Sequence, residues 1–172
     1  MCGVAGAINV PNAYNAVISM MKAMHYRGEN GAGLVLAEYG GKTFYERTQF
    51  TVPDLAIKIE DSGFQTAVRR YYCGVGNVRY GTFGDRRSLD NTQPLKYEMP
   101  WGWLYLSHNG DSPFAQEDRK ELMNRGIALS TSSDSEIMLH QMGLAQTNDL
   151  LTALKKGLRA YRGTYALCML TS

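Results

Sequence analysis

The second residue of the chain, Cys2, carries two groups that could perform nucleophilic catalysis together. Cys2 is small, so Met1 before it is suited to removal, and its loss would free the α-amine of Cys2. In peptides that amine has a pKa of about 8 and a cysteine thiol one of about 8.5. One residue would then supply both a nucleophile and a base. The alternative is a small, buried cysteine without a catalytic role, which position alone favours.

Other positions have residue types suited to binding a charged substrate. Arg79 ends a predicted strand before a long loop and could hold a carboxylate through two hydrogen bonds, or be a solvated surface arginine. Asn109 and Gly110 follow an apolar strand, where they could face an oxyanion or form a hairpin turn. Asp134 opens a helix, which it or Ser133 would cap, but it could instead turn inward to hold an ammonium group. For each position both alternatives stay open.

The composition excludes several classes of protein. With 172 residues, 44% of them hydrophobic and 20% charged, the chain fits one globular domain rather than a disordered or fibrous protein. A net charge of +2 gives no strong attraction to nucleic acid or membrane, and no apolar run is long enough for a membrane span. The N-terminus lacks the basic region of a signal peptide. An odd set of 3 cysteines without close pairing favours a reducing cytoplasm over a disulfide framework or a zinc site. We expect no metal and no cofactor.

Hydrophobic patterning predicts an α+β fold in which short connections join antiparallel strands. The sequence favours helices at 15–25, 53–61, 113–125, 134–142 and 148–161. It favours strands at 4–10, 34–37, 43–47, 73–80, 103–107 and 163–170.

Segments spread in order along the whole chain resemble the glutaminase domain of class II glutamine amidotransferases, which are N-terminal-nucleophile hydrolases. The matching segments are 1–6, 26–33, 76–82, 91–94, 107–110, 131–136 and 163–165. Within that family, Arg79, Tyr80 and Thr82 with Gly84 after them are most similar to the amidophosphoribosyltransferase branch, which acts in purine biosynthesis. The resemblance implies a four-layer αββα sandwich, with two antiparallel sheets between helices.

The resemblance also implies a catalytic mechanism. Cys2 would attack the side-chain amide of L-glutamine, and its own amine would serve as the base and then protonate the departing ammonia. Asn109 and the N–H of Gly110 would form the oxyanion hole. Water would release glutamate from the resulting thioester.

The same resemblance assigns residues to substrate binding. Arg79 would bind the α-carboxylate of glutamine with help from Thr82, and Asp134 would bind the α-ammonium group. Arg27, with Gly28, would shape the loop over the nucleophile. One arginine and one aspartate complement the two charges of free glutamine, so such a site would discriminate against glutamine within a peptide.

The family domain continues for several strands beyond 163–165. We therefore expect residues 1–172 to form one glutaminase domain that lacks the last family strands and any acceptor or phosphoribosyltransferase domain. Ammonia would pass to an acceptor domain or subunit, and an open sheet edge at 167–170 would favour association, including a homo-oligomer. The alternatives are another N-terminal-cysteine amide hydrolase and a truncated, non-catalytic binding or assembly module.

Overall fold

Two antiparallel sheets lie face to face in the computed structural model, which describes residues 1–64, 70–81, 85 and 88–172. The first sheet has the strand order β1-β4-β2-β3 and the second the order β5-β6-β7. The strands are β1 (Gly3–Ala7), β2 (Ala32–Glu38), β3 (Thr43–Thr48), β4 (Tyr71–Val78), β5 (Leu95–Met99), β6 (Gly102–Asp111) and β7 (Thr164–Thr171).

Helices cover the outer face of each sheet. They are α1 (Ala13–Ala23), α2 (Val52–Asp61), α3 (Ala115–Asn124), α4 (Asp134–Gly143) and α5 (Leu150–Ala160). Residues of α1 and α2, such as Val17 and Leu55, pack with Leu34 of β2 in one apolar cluster. Met138 of α4 packs with Leu104 of β6 in another. Val35, Val75, Tyr105 and Leu170 form a third cluster between the sheets. These layers confirm the predicted α+β, αββα sandwich.

Residue alternation along β4 decides which side chains point between the sheets. Gly74 and Gly76 lie under α1, where a Cβ on Gly76 would come within 2.4 Å of the Met21 sulfur. Val75 packs on the opposite face, between the sheets. Because successive strand residues point to opposite faces, Asn77 shares the face of Val75, and Arg79 follows one residue past the end of the strand. Because α1 packs closely on the glycine face of β4, the polar side chain of Asn77 lies on the inner face, between the sheets.

The end of the predicted strand at 103–107 is wrong. The strand β6 runs on through Asp111, so Asn109 and Gly110 lie inside it and form no turn. Asn109 pairs with Ala166 of β7, which lies 57 positions later in the sequence (166 − 109 = 57). An Asn-Gly pair is typical of a hairpin turn, but pairing with a distant strand overrides that local preference here. The strand β5 was not predicted.

Among the described residues, the helices are too short or too polar to cross a membrane.

Candidate active site

A small cleft lies at the end of the sandwich where β1 begins and β6 ends. It brings together Cys2, Arg79, Gly110 and Asp134, which the sequence predicted as site residues. The other lining residues are Tyr80, Gln93, His108, Ser133 and Ser135. The cleft therefore draws on segments that are far apart in the sequence.

The position of Cys2 is fixed by backbone contacts. The N–H of Tyr80 donates to the Cys2 Sγ at 3.4 Å, and the thiol donates to the Tyr80 carbonyl at 3.6 Å. The Arg27 Nε donates to the Cys2 carbonyl at 3.0 Å. Arg27 thus contacts the backbone of the candidate nucleophile, and it is absent from the described lining of the cleft.

The surroundings of Cys2 keep its thiol protonated at neutral pH. Burial raises the pKa of this thiol, and the nearby charge of Asp134 adds to the rise. The hydrogen bond with the Tyr80 backbone, the positive N-terminus at Met1 and the positive charge of Arg79 offset part of it. A protonated thiol is a poor nucleophile, so a nearby base must accept its proton. Met1 is 71% exposed, which leaves it open to the removal that would free the Cys2 amine.

The loop after Arg27 holds the backbone around Arg79. The N–H of Asn30 donates to the Arg79 carbonyl at 3.0 Å, and the Arg79 N–H donates to the Gly31 carbonyl at 2.8 Å. A Cβ on Gly28 would lie 2.3 Å from the Arg79 carbonyl oxygen, so this approach of two backbones requires glycine. The loop thus fixes the end of β4 beside Cys2.

Arg79 is buried, and a backbone carbonyl holds its guanidinium. Its Nη2 donates to the Asp85 carbonyl at 2.9 Å. The Asn91 side chain donates to that carbonyl at 2.8 Å and also bonds Ser132 in both directions, at 2.7 and 2.8 Å. Asn91 therefore links the support of Arg79 to the loop before α4. Thr82, the predicted helper of Arg79, lies outside the described residues.

Asp134 is buried in the first turn of α4. Ser133 caps this helix, because its Oγ accepts from the Ser135 N–H, so the predicted inward turn of Asp134 is consistent with its place in the cleft. The Tyr161 hydroxyl donates to the Asp134 Oδ2 at 3.2 Å. A carboxylate at a helix N-terminus is also stabilised by the helix dipole.

Glu136 ties down the loop that leads into α4. Its carboxylate accepts from the N–H and hydroxyl groups of Ser130 and Thr131 at 2.6 to 3.0 Å, and Arg119 lies 3.6 Å away. Burial alone would raise the pKa of Glu136, but the His140 ring 3.7 Å away and the hydrogen bonds from Ser130 and Thr131 outweigh it and lower the pKa to about 2. The ionised carboxylate therefore stabilises the folded state.

Replacing Glu136 with glutamine should lower the free energy of unfolding at pH 7 by about 2 to 3 kcal/mol. The pKa of Glu136 is lower in the fold than its usual 4.5, so its contribution is full above pH 4.5 and is lost as the pH falls towards 2. The difference between wild type and Glu136→Gln should shrink to less than half at pH 3. Urea unfolding at pH 7 and pH 3 measures it, with the exposed Glu121→Gln as the matched control. An equal difference at both pH values would contradict this assignment.

A buried network around His108 was missed by the sequence analysis, which gave this residue no role. The Nε2 of His108 donates to the Thr164 carbonyl at 3.2 Å, and the Nδ1 shares a hydrogen bond with the Ser135 hydroxyl at 2.9 Å. The Gln93 amide donates to the Ser135 Oγ at 2.9 Å and accepts from the His108 N–H. Asn77 adds a donor to Gln93 at 3.4 Å. This network joins β6 to the start of α4.

Gly110 and Asn109 lie on opposite faces of β6. Gly110 lines the cleft, and a Cβ there would sit 1.9 Å from the Thr164 carbonyl oxygen, so the pairing with β7 requires glycine. Asn109 is half-buried and shares the face of Tyr105, which points towards the first sheet. The described lining of the cleft includes Gly110 without Asn109.

Within the described ranges, no group of three or more His, Cys, Asp or Glu residues is placed to hold a metal ion.

Curated relatives of the chain were found among amidophosphoribosyltransferases. The enzyme of Staphylococcus epidermidis is 29% identical over 170 residues, covering 99% of this chain and 33% of the relative. The enzyme of Methanocaldococcus jannaschii is 29% identical over 174 residues, covering 99% of this chain and 36% of the relative. The chain thus spans about a third of the length of these relatives. No protein-family model matches it.

The chain is also similar to solved structures of this group of amidotransferases. Glutamine phosphoribosylpyrophosphate amidotransferase from B. subtilis, complexed with ADP and GMP, superposes with a TM-score of 0.83 at 26% identity, over 99% of this chain and 35% of that one. A structure described as the allosteric regulatory enzyme of purine biosynthesis gives 0.84 at 24% identity and supports the fold alone. The predicted resemblance to the amidophosphoribosyltransferase branch is confirmed over essentially the whole chain.

Proposed function

We propose that the chain is a glutaminase domain that hydrolyses the side-chain amide of L-glutamine to glutamate and ammonia. The observation that carries the proposal is that Cys2, Arg79 and Asp134, which bear a thiol, a guanidinium and a carboxylate, line one cleft. These groups match the amide, the α-carboxylate and the α-ammonium of free glutamine. Similarity to amidophosphoribosyltransferases along the whole chain supports the same conclusion.

The chemistry begins once Met1 has been removed. The neutral α-amine of Cys2 takes the thiol proton, and the sulfur attacks the amide carbon, forming a C–S bond. The C–N bond then breaks as the protonated amine returns its proton to the leaving ammonia. Water attacks the thioester, the C–S bond breaks, and glutamate leaves with the thiol restored. The raised pKa of the thiol makes this internal base necessary.

The tetrahedral intermediates carry a negative oxygen that needs hydrogen-bond donors. The N–H of Gly110 is suited to this role because Gly110 lines the cleft. We also assign the Asn109 side chain to the oxyanion hole, on the similarity to the amidophosphoribosyltransferases. Asn109 directly precedes Gly110 in β6, with its side chain on the opposite face of the strand. Arg27 supports the nucleophile by holding the Cys2 carbonyl, and Thr82 is assigned to the carboxylate beside Arg79.

We further propose that residues 1–172 form the glutaminase domain of an amidophosphoribosyltransferase-like system, with ammonia consumed by an acceptor domain or subunit. The names of the relatives, of which the chain spans about a third, support this partner. The free thiols of Cys2, Cys73 and Cys168 suit a reducing cytoplasm.

A glutaminase assay tests the proposal. Purified protein, with Met1 removal verified by mass spectrometry, should release glutamate from L-glutamine. It should act at least about tenfold less well on glutamine blocked at either the α-amine or the α-carboxylate, since each block removes one ion pair. Equal activity on the blocked amides would favour a different N-terminal-cysteine amidase. A folded, Cys2-terminated sample without turnover would remove the proposal in favour of a non-catalytic module.

A further inference from the structure

Tyr161 is a rigid, buried residue directly behind the cleft. It follows α5, and its N–H donates to the Gly157 carbonyl at 3.0 Å. Tyr161 is 6% exposed, and its ring meets the His108 ring edge-on, with centroids 5.8 Å apart. The ring belongs to the apolar cluster between the second sheet and its helices. The position of its hydroxyl is therefore fixed by packing.

The hydroxyl of Tyr161 has one partner in the described residues, the Asp134 Oδ2 at 3.2 Å. No other side chain in the described ranges donates to the Asp134 carboxylate. Burial and the negative charge of Asp134 raise the pKa of Tyr161, so the hydroxyl keeps its proton and stays a donor across the neutral range. Asp134 lines the cleft, whereas Tyr161 is absent from the described lining.

We infer that Tyr161 is a positioning residue that sets substrate specificity by orienting Asp134 towards the α-ammonium group of glutamine. The inference rests on the proposed function. With Oδ2 held by the hydroxyl, the carboxylate cannot rotate freely about its terminal bond, and Oδ1 is left for the substrate. A preoriented carboxylate binds a cation without the cost of ordering it on binding.

Tyr161→Phe tests this because it removes one oxygen and keeps the packed ring. The KM for glutamine should rise about five- to tenfold with kcat little changed, the effect expected for a lost hydrogen bond to a charged group. The buried Tyr14→Phe, in the opposite helical layer, is the matched control and should change neither constant. Circular dichroism and thermal unfolding compare the folds of both variants.

Substrates that lack one charged group of glutamine distinguish a loss of substrate specificity in Tyr161→Phe from a general loss of activity. Glutaramate lacks the α-ammonium group of glutamine, and 4-aminobutanamide lacks its α-carboxylate. Tyr161→Phe should reduce the preference for glutamine over glutaramate by about five- to tenfold and leave the preference over 4-aminobutanamide unchanged. An equal loss on all three amides would show a structural role and overturn the inference.

A double variant tests whether Tyr161 acts through Asp134. Once Asp134→Asn has removed the charge, adding Tyr161→Phe should produce no further change in the glutamine-to-glutaramate ratio. Independent, additive losses would overturn the inference.

The failure of the inference can be told apart from the failure of the proposed function. If wild type binds glutamine without hydrolysing it, the proposed activity fails, and the same preference is read from dissociation constants of wild type and Tyr161→Phe. If wild type neither hydrolyses nor binds glutamine, both are overturned. Turnover by wild type with an unchanged ratio in Tyr161→Phe overturns the inference alone.

Discussion

Cys2→Ala should lower glutamine turnover by at least about 10³-fold and leave the fold intact. The thiol is the proposed attacking group, and loss of a catalytic nucleophile costs other hydrolases this much or more. Alanine is smaller than cysteine, so Met1 should still be removed, and the small residue should fit the position. Glutamate release measures turnover, and mass spectrometry of the N-terminus verifies that the variant begins at residue 2.

The matched controls are Cys73→Ala and Cys168→Ala. Both residues are half-buried free thiols that line a different, apolar cavity between the sheets and are absent from the described lining of the cleft. Each variant should retain wild-type turnover. A glutamine-like alkylating agent should add its mass to Cys2 in wild type and in both controls. Labelling at Cys73 or Cys168 instead, or normal turnover by Cys2→Ala, would rule out Cys2 as the nucleophile.

Arg79→Gln should lower kcat/KM for glutamine by about 10²-fold, mainly through KM. Arg79 is 4% exposed, and the loss of its guanidinium leaves the substrate carboxylate without a charged partner in a site shielded from water. Arg79→Lys should recover part of the loss, because lysine keeps the charge but not the two-pronged hydrogen bonding. Steady-state kinetics on glutamine and on 4-aminobutanamide measure the effect.

Arg70→Gln is the control for this variant, because Arg70 is exposed and lies at the opposite end of β4. Its kinetics should match those of wild type. Since 4-aminobutanamide has no carboxylate, Arg79→Gln should handle it about as well as wild type does. A hundredfold loss on that amide as well would mean that Arg79 supports the structure of the cleft and does not recognise the carboxylate.

The sequence alone could predict the role of a residue where that role depends on its own chemistry and on adjacent residues. Cys2, Arg79 and Asp134 were predicted as parts of one site, and they line one cleft. The start of α4 could also be predicted, because a serine followed by acidic residues is a strong capping signal that depends on adjacent positions. The αββα layers followed from the family resemblance, whereas patterning alone gave α+β.

The rest depended on contacts between residues far apart in the chain. Gln93, His108 and Ser135 are ordinary polar residues in sequence, and their shared hydrogen bonds exist only because β6 packs against the start of α4. The extension of β6 through Gly110 has the same origin, since it needs β7 as a partner. No local pattern marks such residues, although 91–94 and 107–110 belonged to the segments that carried the family resemblance.

The burial of Cys2 has a consequence for the chemical durability of the protein. Peroxides oxidise thiolates far faster than thiols, and burial holds this sulfur in its thiol form. The proton that the proposed mechanism removes from Cys2 therefore also slows the oxidation of the resting sulfur to sulfenic acid. We therefore expect Cys2 to react with peroxide more slowly than an ionised cysteine would.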